Sequence, residues 1–173
     1  MNSSIIQFYS GAQPDDRGRY LSDIHKWTDD QLESVHDFIQ WMFPLRERSG
    51  VNLTAPILDA DTIREFKSRP ELQENLRVSF ARMVKFYGME INGSGPQRTI
   101  EPASNFRERS NVWLHPHNHN HLRMTRIIKS LRLLGLEMEA RAFFDCLASL
   151  YHSHSRAISP DTFRYWQSAI EDD

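Results

Sequence analysis

The chain has 173 residues, 39% of them hydrophobic and 25% charged, the proportions of a soluble globular protein long enough to bury a sizeable core. A formal net charge of −2 supplies no global positive field, so no nucleic-acid partner is expected, and no apolar run has the length or flanks of a membrane span or a signal peptide. A single cysteine, Cys146, excludes an internal disulfide, and together these features predict a soluble, cytoplasmic protein.

Helical periodicity is common and β-branched alternation scarce, which predicts an all-α fold: one compact domain over residues 1–173 with about six to eight helices. Tyr20–Trp27 reads as a short helix or turn. Thr28 and Gln31 have capping-box spacing and open a helix expected to run to about Phe43, ahead of Pro44. Leu32, Val35, Phe38, Ile39, Met42 and Phe43 cover more of its circumference than a surface helix exposes. Residues 46–60 read as a loop, and a short helix follows over Asp61–Lys67. Ser68 is the predicted cap of a long helix with Pro70 in its first turn and Leu72, Leu76, Phe80, Met83 and Tyr87 on one face; Gly88 stops it. Residues 89–105, rich in Gly, Pro and Ser, read as an exposed loop and a candidate lid. A helix over His119–Leu134 then buries Met124, Ile127, Ile128, Leu131 and Leu134, and Gly135 breaks the chain. The next helix carries Leu136, Phe143, Cys146, Leu147, Leu150 and Tyr151. Ser159-Pro160 opens a last one with Phe163, Trp166 and Ile170.

Three constellations carry candidate chemistry. Glu33, His36, Asp37 and Gln40 fall on one polar strip of the Thr28 helix, and Glu33 and His36 have the i, i+3 spacing of di-iron bundles. No second Glu-x-x-His exists, so a polar network at a helix junction is favoured over a metal. His115, His117, His119 and His121 alternate and would share one side of an extended chain, as metal ligands can; no cysteine or carboxylate sits beside them, so a surface tract is favoured. The third is the start of the His119 helix, capped by Asn118 or Asn120, where His119, Arg123, Arg126 and Ser130 project together beside free N–H groups and the positive helix end. That arrangement suits an anion. The competing reading is a solvated basic face that pairs with acids on a neighbouring helix; it stands level with the first, because Leu122 and Leu133 lie among those polar residues and a wholly solvated face would not usually carry both. Phosphate-loop and nucleophile-elbow motifs do not occur, Cys146 falls on an apolar helix face, and Trp27, Trp41, Trp113 and Trp166 read as core or pocket walls.

Four stretches, from near Phe8 to about Ala148, resemble the conserved domain of the opioid growth factor receptor family. They are Phe8-Tyr9, the DIH…W…LES-x-H-x-x-IQW-x-FPLRE run from Asp23 to Glu47, Phe86 to Gly88, and HN-x-LR-x-TRI-x-KSL-x-x-LGLE from His119 to Glu137. The resemblance implies an all-helical domain. Vertebrate members are described as receptors for an opioid peptide growth factor, associated with the nucleus and perinuclear membrane and with growth inhibition. The chain ends soon after the shared region and is expected to be a short, microbial-type member. Where the family reads His-Asn-Asn, this chain has His119-Asn120-His121. Carried over, the motifs imply a pocket lined by His36, Gln40, Trp41, Arg46, His119, Asn120, Arg123 and Arg126.

The leading expectation is a helical binding module rather than an enzyme. Its pocket between the IQW and HN-x-LR helices would take a small anionic ligand or a peptide: Arg123 and Arg126 hold the anion, His119 and Asn120 orient it, and Trp41 is an apolar wall. No cofactor is favoured. The alternative is a metal- or haem-dependent enzyme with His36 or His119 as ligand and Glu33 or Gln40 in support. A third reading is a structural or oligomerisation module, such as a homo-oligomer.

Overall fold

A computed structural model describes residues 3–172. Among these it has ten α-helices and one two-stranded antiparallel hairpin, so the fold is mostly helical, as the periodicity predicts. The helices outnumber the expected six to eight because one predicted helix splits and two short ones, at the N-terminus and after the hairpin, lack a long periodic pattern. Two compact units emerge, Met1–Arg82 with Leu133–Gly135, and Met83–Arg132 with Leu136–Asp173.

The first unit begins with α1 (Ser4–Tyr9), whose Ile5, Ile6, Phe8 and Tyr9 are all buried. Phe8 meets Trp41 edge-on with ring centres 5.3 Å apart, and Tyr9 meets Phe66 at 5.1 Å, the edge-to-face geometry that aromatic quadrupoles favour. The Tyr9 hydroxyl donates to the Met42 carbonyl, and Asn75 Nδ2 donates to the Tyr9 carbonyl at 2.8 Å. Helix α2 spans Leu21–His25. Helix α3 (Asp29–Ser34) opens on the predicted capping box, with Thr28 Oγ1 accepting from Gln31 N and Gln31 Oε1 from Thr28 N.

The helix expected to reach Phe43 stops at Ser34. Val35 is extended, at φ −94° and ψ 129°, and helix resumes only at α4 (Ile39–Met42). Distant groups impose this break. The Asp37 carboxylate binds Arg19 at 2.7 Å and Arg17 at 3.2 Å, while Asn52 Nδ2 donates to the Asp37 carbonyl at 3.1 Å. Polar bonds of this kind hold a segment in a non-helical course that helical periodicity alone does not reveal. Residues 46–60 are irregular up to α5 (Ala60–Ser68), as expected, and are ordered by Ser49 Oγ accepting from the Val51 and Asn52 amides. Ser68 does not cap the long helix. It is the last residue of α5, with its Oγ donating to Glu65 O, and α6 (Pro70–Phe86) starts on its proline.

In the second unit, the stretch expected to be a loop or lid over residues 89–105 is instead built around a hairpin. Strand β1 (Met89–Asn92) pairs with β2 (Thr99–Pro102) through a 3₁₀ turn at Gly95–Gln97. Met89 and Ile100 are its buried anchors; with so few apolar residues and a turn so rich in Gly and Pro, the period-2 signal is weak. Helices α7 (Phe106–Trp113), α8 (His119–Leu133), α9 (Glu137–Ser153) and α10 (Pro160–Glu171) follow. Tyr87 stacks on Phe143 at 6.2 Å and meets Trp113 edge-on at 5.8 Å, and Trp113 Nε1 donates to the Tyr87 carbonyl. Trp166 Nε1 donates to the His121 carbonyl at 3.2 Å, joining α10 to α8. Ser159 caps α10 as predicted. Among the described residues no helix is long and apolar enough to cross a membrane.

Candidate functional site

Asn118, not Asn120, caps α8. Its Oδ1 accepts from the Asn120 amide at 2.9 Å, and the His121 amide is taken by the Asn118 carbonyl, so part of the predicted open N–H set is already bonded. Asn120 is fully buried and Arg123 is 5% exposed; Arg123 Nη1 donates to Asn120 Oδ1 at 3.3 Å. His119 Nε2 lies 3.4 Å from Asn120 Nδ2, so three of the predicted residues form one cluster over the first turn. Arg126 is half-buried and Ser130 is buried. The burial of Arg123 argues against a wholly solvated face, whereas Leu122, at 69% exposed, gives no support on that point.

The alternating histidines do not share a side. His117 has a positive φ of 60°, which turns the chain between the exposed His115 and helix α8. His115 Nε2 lies 3.2 Å from Val112 O, whereas His121 is buried with Nε2 2.9 Å from Trp113 O, set edge-on to Trp113 and Trp166. Burial holds the His121 imidazole below its ordinary pKa, against the opposing pull of the Trp113 carbonyl. His121 is the residue that sequence reasoning misplaced. Its i, i+3, i+7 relation to Met124 and Ile128, on the buried stripe, is the signal that marks it as core.

In the first unit the predicted polar strip is divided by the break after α3. Glu33 is on α3, His36 is exposed within the break, Gln40 and Trp41 are on α4, and Arg46 is exposed in the following loop. Trp41 Nε1 donates to Asp16 Oδ1 at 3.1 Å. Gln40 is 5% exposed and its Oε1 is buried without a hydrogen-bond partner. Burial raises the Asp37 carboxyl, but the hydrogen bond and charge of Arg19, with Arg17, outweigh it and hold the group low. Beside this network, His25 Nε2 lies 2.8 Å from Ser79 Oγ, which lies 3.3 Å from the Tyr9 hydroxyl. Among the described residues no three His, Cys, Asp or Glu side chains gather into a group able to hold a metal ion.

The chain matches the Opioid growth factor receptor (OGFr) conserved region over residues 2–173. It belongs to this family. It is 44% identical over 123 residues to the human opioid growth factor receptor, an alignment covering 69% of this chain and 18% of that relative. The rat opioid growth factor receptor is 43% identical over 138 residues, covering 76% and 23%. The mouse opioid growth factor receptor-like protein 1 is 38% identical over 141 residues, covering 78% and 29%. The chain thus spans less than a third of the length of these curated relatives. No solved structure matches it. Both long family motifs, Asp23–Glu47 and His119–Glu137, fall on the segments that carry the two polar clusters described above.

Proposed function

We propose that this family member is a receptor-like helical binding domain whose ligand, a small anion or the carboxylate end of a peptide, is held at the start of α8. Arg123 and Arg126 supply the charge, and His119 and Asn120 orient the bound group. The observation that carries this reading is the burial of Arg123 against Asn120 in the first turns of a 15-residue helix. Burying a guanidinium costs several kcal/mol of solvation, on the order of the penalty for any buried ion, so Arg123 is held in a fixed polar setting beside the half-buried Arg126. The positive end of the helix favours an anion there. The relatives' names, as receptors, agree with a binding role. His36, Gln40, Trp41 and Arg46 are proposed as a separate contact strip of the first unit, with the unpartnered Gln40 Oε1 as an acceptor for a ligand amide or hydroxyl. A cytoplasmic setting is consistent with the single unpaired cysteine.

The test is a titration of the full chain with inorganic phosphate, followed by amide chemical shifts. Saturable shifts at Asn120 and Arg126 are expected. Arg126→Ala should weaken them about tenfold while the far-ultraviolet circular dichroism stays unchanged. A peptide with a free C-terminus should compete, and its amidated form should not. Unchanged phosphate binding in Arg126→Ala would overturn the assignment.

A further inference from the structure

A second site lies wholly within the second unit, away from α8. A groove of about 530 Å³ runs between β2 and α9, within the range of roughly 300–1,000 Å³ common to ligand sites. On the helix side Ala142, Asp145, Ser149 and Ser153 line it at steps of three and four residues, a stripe about 16 Å long at 1.5 Å per residue. On the strand side it is lined from Arg98 to Pro102, about 13 Å of extended chain. A helix stripe beside a strand of similar length is the shape of an extended segment of four or five residues.

The β2 edge facing away from β1 pairs with no other strand among the described residues. Ala103 N donates to Gly88 O at 2.9 Å, and Met89 is opposite Pro102, so Gly88 and Ala103 form a hydrogen-bonded pair. Alternation along an antiparallel ladder then makes Glu90–Glu101 and Asn92–Thr99 hydrogen-bonded pairs and turns the Ile100 N–H and C=O away from β1. No other group among the described residues takes them. At one end, Arg98 Nη1 bonds Glu139, and Arg98 Nε is buried without a partner, a donor left for a carbonyl.

The charge in the groove is one-sided. Arg98 is neutralised by Glu139. Asp145 makes no hydrogen bond or ion pair among the described residues, and the one bond at Glu101 is a long contact of 3.5 Å from Asn92 Nδ2. The Cys146 thiol, on the same stripe, is pushed up to about 12 by burial first and by the Glu101 charge second.

We propose that this groove docks an extended peptide segment bearing a basic side chain, which adds as a strand to the open edge of β2 and sets its cation against Glu101 and Asp145. Main-chain pairing at Ile100 gives affinity, the two carboxylates select the side chain, and Arg98 Nε fixes one end.

Fluorescence anisotropy of the full chain with a labelled, capped Val-Arg-Val-Arg-Val peptide tests this. Saturable binding is expected, about tenfold tighter than that of Val-Glu-Val-Glu-Val and weakened by a similar factor when the valines are N-methylated. The double variant Glu101→Gln/Asp145→Asn, with unchanged circular dichroism, should lose the preference for arginine and keep the N-methyl sensitivity. Equal affinity for the two peptides, full affinity of the N-methylated peptide, or no saturable binding would each overturn the proposal. So would a dimer, seen by sedimentation equilibrium, that the peptide cannot dissociate, because the edge would then belong to a second copy.

Discussion

Leu122 and Arg123 are neighbours on α8 whose exposures invert their polarity, at 69% and 5%. A helical wheel gives the angle at which a side chain leaves the axis, but depth depends on what covers that angle, and nothing local to α8 encodes it. The spacing of His119, Asn120 and Arg123 was therefore legible as a cluster, while its burial was not. His121 escaped for a related reason: counted as a polar residue in a histidine tract, it uses the apolar body of its ring as core between two tryptophans. The inverted pair makes a stability prediction. Arg123→Ala removes a packed stem and a charged hydrogen bond to the buried Asn120, and should cost about 2 kcal/mol in urea unfolding. Leu122→Ala should stay within about 0.5 kcal/mol. If the two substitutions cost the same, the burial assigned to Arg123 is wrong.

At the scale of elements, the legible signals were those whose chemistry closes within a few residues. The Thr28–Gln31 box, the Ser159-Pro160 start and the Gly88 stop all hold. The break between α3 and α4 was illegible because Arg19 and Asn52, far away in sequence, create it through Asp37. The hairpin was illegible because eight strand residues carry only two buried anchors, Met89 and Ile100. Gly88 joins α6 to that hairpin and is constrained twice. Its φ is 79°, and a Cβ there would lie 2.6 Å from Arg109 Cβ. Arg109 is itself tied to this junction, with Nε donating to the Phe86 carbonyl at 2.9 Å and the guanidinium 5.1 Å from the Phe86 ring. Gly88→Ala should therefore cost about 2–4 kcal/mol, adding left-handed backbone strain to a contact that must be relieved. Gly11→Ala supplies the comparison, because its φ is also positive, at 76°, but nothing lies within 4 Å of the added methyl. A Cβ at Gly88 would also lie 3.1 Å from Phe106 Cα, so the difference between the two variants in denaturant midpoint isolates these contacts with α7, and equal losses would remove them from the account.

Across the whole molecule, each unit holds one imidazole whose pKa folding pushes down, half-buried His25 and buried His121, and this sets how the protein responds to acid. In the first unit His25 packs against Ser79 and near Arg82; burial, and then the Arg82 charge, push its pKa down to about 4. In the second, burial lowers that of His121. Both groups bind a proton more readily in the unfolded chain, where an imidazole titrates at about 6.5. Unfolding below that pH takes up protons, so stability is complete above about 6.5 and is lost as pH falls toward 4. Because His25 is only half-buried, its share after solvent screening is about 1–2 kcal/mol rather than the full linkage value. The carboxylates act in a lower range: Asp37, held low by its arginines, starts to give up stability as pH falls through the ordinary carboxylate range, about 4, and has lost it all once its depressed pKa is passed. The loss between pH 7.5 and 5 should thus be dominated by the imidazoles. His25→Gln can keep a hydrogen bond to Ser79 and has no proton to gain. Urea midpoints of the two proteins should converge as pH falls from 7.5 to 5, with the variant's curve the flatter. Parallel curves would show that His25 is free to charge in the folded protein, and would leave His121 as the source of any acid lability that persists.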